Sequence, residues 1–170
     1  MERLLKAPSW VIFLLSILGL SMSNFTLENE LLTTSVINIL GVIIYCCYPF
    51  SMAWILNDHL PDRVKLNYNL YLVNCSIWFT AYSSITILSK GQRMIFEGWA
   101  AIPMFYAFYA FIHFFAFPAR TLKSIELKKE TNLGDYIVDS FLLLFLPLGI
   151  WILHPKIQQV LEQEEIMDEK

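Results

Sequence analysis

Five apolar runs almost free of charge, separated by short charged blocks, limit what this chain can fold into more than any other feature. They cover residues 7–23, 34–56, 67–88, 99–117 and 136–154. A helix of about 20 apolar residues spans the hydrocarbon core of a bilayer, and a helix satisfies its own backbone hydrogen bonds where no water can. Composition agrees. Of 170 residues, 56% are hydrophobic and 16% charged, against about 25% charged in a soluble domain. The expected fold is all-α: one polytopic transmembrane helical bundle of about five spans, with no linker or repeat dividing it. Residues 1–23 also fit a signal peptide, with Arg3 and Lys6 before the apolar core and Ser21 and Ser23 after it. A retained first span is the reading preferred here, because signal peptides are less usual on multi-span proteins.

Orientation follows from the cations, which concentrate on the cytoplasmic side. With five spans and a cytoplasmic N-terminus, the inner segments hold Arg3, Lys6, Arg63, Lys65, Arg120, Lys123, Lys128 and Lys129. The outer segments hold Lys90, Arg93, Lys156 and Lys170. That asymmetry predicts a multi-pass plasma-membrane protein with its N-terminus inside. The fifth run is the weak link. Pro147 and Gly149 interrupt it, and a turn there would put the acidic tail, 157–170, on the cytoplasmic side instead.

Between the fourth and fifth runs, residues 120–130 set Leu122, Ile125 and Leu127 among Arg120, Lys123, Lys128 and Lys129. A basic amphipathic segment of this kind is expected to lie on the membrane surface with its cations at anionic headgroups. The alternative is a solvated helical extension of the fourth span. Asp135 is expected to cap the fifth helix.

Polar residues inside the runs should face other helices rather than acyl chains. Asn38 shares a helical face with Gly41, Tyr45 and Tyr48. Asn67 and Asn74 line one side of the third run, while Ser76, Thr80 and Ser83 line nearly the opposite one. In the fourth run, Ala100, Pro103, Ala107 and Ala110 form a small-residue stripe. His113, one turn after Tyr109, is the ionisable residue well inside that run. Asp139 starts the next, antiparallel span, so His113 and Asp139 could meet, with Tyr109 joining them. Intramembrane ionisable groups point to function by default. A carboxylate in the first helical turn, however, is favoured by the helix N-terminus alone. The pair is therefore expected to be structural. His154, at the far end of a continuous fifth span, would lie about 20 Å from His113 along the membrane normal.

Other chemistry is sparse. Cys46, Cys47 and Cys75 lie inside apolar runs without C-x-x-C spacing, and Asp58, His59 and Asp62 lack a fourth ligand. No catalytic motif, cofactor or metal site is expected, and no basic face interleaved with aromatics suggests nucleic acid. The expected role is non-enzymatic. It is binding to helices or lipid in the membrane, as an accessory or assembly subunit with a membrane-protein partner or a second copy. The alternative is a small channel or transporter moving a proton, ion or small solute past Asn38, Asn74 and His113.

Phe145-Leu-Pro-Leu-Gly-Ile-Trp151 followed by Pro155-Lys156, with Ala119-Arg-Thr-Leu-Lys-Ser-Ile-Glu126 before it, resembles the ending of small bacterial multi-span inner-membrane proteins of unassigned activity. The resemblance covers under a quarter of the chain. It implies a bacterial inner membrane and supplies no mechanism.

Overall fold

A computed structural model of the chain describes the backbone of residues 2–27, 30–89 and 94–168, and the regular elements among them are all helical. In order they are α1 (Glu2–Leu5), α2 (Ser9–Ser23), α3 (Leu31–Asp58), α4 (Tyr68–Ser89), a 3-10 turn (Gly98–Ala100), α5 (Ala101–Leu127), α6 (Leu133–Leu144) and α7 (Leu146–Asp168). Three stretches are long and apolar enough to cross a membrane: Leu31–Asp58, Tyr68–Ser89 and Gly98–Leu127. The first apolar run forms the shorter helix α2, of 15 residues.

α2 and α3 pack backbone to backbone. A Cβ on Gly19 would sit 2.8 Å from the Gly41 carbonyl oxygen, and one on Gly41 would sit 2.4 Å from the Ser23 nitrogen. Two glycines facing each other thus set the closest approach in the N-terminal half, as small residues do between helices in lipid. α4 meets α5 through aromatic rings, Tyr71 stacking on Phe117 with centroids 4.5 Å apart. Ser35 Oγ, near the start of α3, donates to the Thr86 carbonyl near the end of α4, at 3.1 Å. Asn67 caps α4, its Oδ1 accepting from the Leu70 N–H at 3.0 Å.

The fifth run is not one helix over 136–154. It breaks at Phe145 (φ −102°, ψ 54°), and the chain folds back on itself. Pro147 is the local cause, since proline has no N–H for a bond four residues back and its ring clashes with the carbonyl there. It is tolerated as the second residue of α7, where that donor would be unused anyway. The reversal is tight. A Cβ on Gly149 would lie 2.0 Å from the Leu142 carbonyl oxygen, so α6 and α7 touch through their main chains. Further along the hairpin, Lys156 Nζ reaches Asp139 Oδ1 at 3.4 Å. In one continuous helix those residues would be about 25 Å apart at the usual rise.

Tyr45, in the middle of α3, closes the tip of this hairpin. Its hydroxyl donates to the Leu144 carbonyl at 2.7 Å and accepts from the Leu146 N–H at 3.1 Å. The two backbone groups freed by the break are thereby paired away from water. The tip therefore sits halfway along α3, while the open end of the hairpin lies with the chain's N-terminus. Gln158 Nε2 reaches the Ala7 carbonyl at 3.4 Å, and Lys123 Nζ, near the end of α5, faces Asp139 Oδ2 at 3.8 Å.

Of the two readings of 120–130, the helical extension of the fourth run is the one seen as far as Leu127, with one face packed rather than solvated. α5 runs unbroken through Pro118 to Leu127, and Leu122 and Ile125 are buried in the core with Leu143 and Ile150. Apolar side chains at these positions join the bundle because α6 and α7 fold up beside them. The helix stops at Lys128, whose φ of 51° is left-handed. Asn132, not Asp135, is the N-cap of α6. The Asp135 carboxylate accepts from the Asn132 N–H at 3.0 Å, the reciprocal bond of a capping box. α7 continues as a helix past Pro155 to Asp168. Lys90, Arg93 and Lys170, counted above as outer cations, lie outside the described residues, as do the side chains of the tail beyond Glu162.

Candidate functional site

A polar cluster is built from α4 and α5. Asn74, fully buried on α4, accepts at Oδ1 from the Tyr106 hydroxyl at 2.9 Å and donates from Nδ2 to His113 Nδ1 at 3.2 Å. The arrangement sets the histidine's tautomer. With Nδ1 accepting, a neutral imidazole carries its proton on Nε2. Tyr109, one turn before His113 on α5, stacks against the imidazole with centroids 5.9 Å apart. Tyr71 and Phe117 flank it at 6.2 and 5.9 Å. Tyr106 and Tyr109 are 43% and 50% exposed, so the cluster opens on the outer side of α5. It can offer hydrogen bonds from Nε2 and from the Tyr109 hydroxyl, while the Tyr106 oxygen, its proton spent on Asn74, can still accept. Of the residues singled out in the sequence, Asn74, Tyr109 and His113 come together here, joined by Tyr106, which was not among them.

Asp139 is elsewhere, which corrects the expected His113–Asp139 pair. Its carboxylate is buried between Lys156 Nζ (3.4 Å to Oδ1) and Lys123 Nζ (3.8 Å to Oδ2), joining α5, α6 and α7. The reason is the fold-back, which carries Lys156 to α6 and gives the carboxylate nearer cations. Asn38 is apart as well. With its amide turned so that Nδ2 faces the carbonyls, it donates to Met22 and Phe25 at 2.9 and 2.8 Å, holding the turn after α2. Asn38 and Asn74 therefore serve separate local structures.

The four expected lipid-contact cations divide into two kinds. Arg120 pairs with Glu130 at 2.9 Å, and Lys123 pairs with Glu126 as well as facing Asp139. Lys128 and Lys129 are exposed and make no ion pair among the described residues.

His154 was expected at the far end of a fifth span. The fold-back instead buries it completely beside α3 and the link between α1 and α2. Its Nδ1 meets the Tyr48 hydroxyl at 2.9 Å, and Nε2 donates to the Ala7 carbonyl at 2.6 Å. A carbonyl can only accept, so the proton is on Nε2 and Tyr48 is the donor to Nδ1. No sequence spacing pairs residues 7, 48 and 154. The available sign was a tyrosine and a histidine each inside an apolar run, where both need partners.

His59 Nδ1 bonds the Ile55 carbonyl at 2.8 Å rather than standing ready for a metal. Among the described residues no group of three or more His, Cys, Asp or Glu is placed to hold a metal ion. No protein-family model, curated protein or solved structure matches the chain.

Proposed function

We propose that this chain is an integral membrane protein that acts by lateral binding in the bilayer, as an accessory or assembly subunit. It crosses the membrane four times, through α2 to α5, and α6–α7 re-enters from the cytoplasmic side. Both termini are cytoplasmic. Cation placement supports this topology. Arg3, Lys6, Arg63, Lys65, Arg120, Lys123, Lys128, Lys129 and Lys156 then all fall on the cytoplasmic side. Lys90 and Arg93, in the connection between α4 and α5, fall opposite. Lys156 moves from the minority to the majority when the fifth run turns back.

One observation carries the binding role. Burial on α5 is confined almost entirely to its second half: Ala107 and Ala110 are the buried residues before Phe114. The first half leaves Phe105 75%, Phe108 63% and Tyr109 50% exposed, because α6 stops at mid-depth and no other described element covers that side. Phenylalanine alone would suit acyl chains. Tyr109 and His113 do not, since a hydrogen-bonding group facing hydrocarbon is unfavourable unless something pairs with it. A neighbouring helix with a polar side chain at that depth satisfies both the aromatic surface and the cluster. A bacterial inner membrane is the setting the C-terminal resemblance suggests.

Photo-crosslinking in native membranes tests this. A benzophenone side chain in place of Phe105 or Phe108 should give a discrete protein adduct. One in place of Leu148, which is 73% exposed beside the hairpin tip, should not. An adduct of twice the chain's mass would name a second copy as the partner. Lipid adducts alone at Phe105 and Phe108 would overturn the proposal.

A further inference from the structure

A groove of about 260 Å³ runs between α5 and α6, lined by Phe115 and Ala116 on one side and Tyr136, Ser140 and Phe141 on the other. Ser140 Oγ donates to the Tyr136 carbonyl at 3.0 Å, so even this hydroxyl is spent inside α6 and the walls are apolar in effect. We propose that the groove seats one acyl chain of an anionic phospholipid from the cytoplasmic leaflet, with its headgroup at Lys128 and Lys129. This rests on the re-entrant topology above but not on a protein partner.

Length is the first argument. The groove follows α6 from Leu133 to Leu144. Eleven residues of helix rise about 16 Å, and one leaflet of a hydrocarbon core is about 15 Å deep. The groove thus begins at the interface and ends where the hairpin tip ends, at mid-bilayer. It exists because α6 is short and turns back: the α6 wall is as long as one leaflet is deep, and Ile112, Phe115 and Ala116 form the shorter wall on α5.

Charge is the second. Lys128 and Lys129 stand in the link leading to α6, within five residues of Leu133, the first groove residue of α6, while Arg120 and Lys123 are already paired to carboxylates. Lys128 holds φ at 51°, a left-handed conformation that a helix end ordinarily gives to glycine or asparagine. A lysine there sacrifices backbone ease for a positive charge. That charge suits a phosphate above the acyl slot.

The experiment is lipid retention by the purified full chain, read by native mass spectrometry after exchange into phosphatidylglycerol or phosphatidylcholine of the same chain length. The chain should keep one phosphatidylglycerol. Lys128→Gly should raise Tm, yet lower the preference for phosphatidylglycerol over phosphatidylcholine about fivefold, with Lys129→Gln adding a similar factor. Ala116→Trp, which fills the slot, should abolish retention of both lipids. Ser140→Leu tests the same from the α6 side should the first variant fold poorly. Equal retention of the two lipids, an unchanged preference in Lys128→Gly, or lipid still held by both slot-filling variants would each overturn the site. Retention by the isolated chain is independent of the photo-crosslinking result, so the two proposals can fail separately.

Discussion

Gly149→Ala is expected to destabilise the protein by about 3 kcal/mol or more, the upper end of what overpacking does in a rigid core. The added methyl would lie 2.0 Å from the Leu142 carbonyl oxygen and 2.5 Å from its carbon, both main-chain atoms of α6. No side chain can rotate away, so the hairpin must open. Denaturant unfolding in detergent measures the effect, with Gly134→Ala as the control. A Cβ at Gly134 meets nothing within 4 Å, and its position in the first turn of α6 suits alanine. That variant should be neutral or slightly more stable, by up to about 1 kcal/mol.

Tyr45→Phe should be comparably damaging, although it removes a single oxygen. That oxygen serves the Leu144 carbonyl and the Leu146 N–H at once. A buried backbone group left without its partner costs about 1–3 kcal/mol, so losing both gives about 3 kcal/mol in total. The expected contrast is with Tyr48→Phe. It leaves only His154 Nδ1 without its donor and keeps the Ala7 contact. Because Tyr45 and Gly149 hold the same turn, the double variant should lose less than the sum of the two. Full additivity would mean that the tyrosine does not act on the hairpin.

Much of the fold is legible in the residues, and the part that is not has a definite cause. Helical class and the three long apolar helices follow from hydropathy, because a run of 22 to 30 residues in which apolar side chains predominate leaves the backbone in lipid no other way to satisfy itself. Asn74 and His113 are legible as bundle-facing residues for a similar reason, since each is a polar group within an apolar run. The fifth run hides its outcome. Pro147 and Gly149 announce an interruption, but a proline in a helix permits a kink as readily as a reversal. What decides between them is Tyr45, about a hundred residues earlier, together with the absence of any side chain on Gly149. No local pattern contains that information. The error then propagates. A straight fifth helix takes His154 away from Tyr48 and Ala7, leaves Asp139 near His113, and frees residues 120–130 to lie on the surface.

Topology at the C-terminus tests the account most directly, because the re-entrant hairpin and a fifth crossing make opposite demands on it. A reporter fused after Lys170 and one fused after Lys65 should give the same cytoplasmic signal, while a reporter in the connection around Arg93 gives the external one. An external signal after Lys170, with Lys65 still cytoplasmic, would mean that α6 and α7 cross the membrane in the bilayer and would contradict the hairpin.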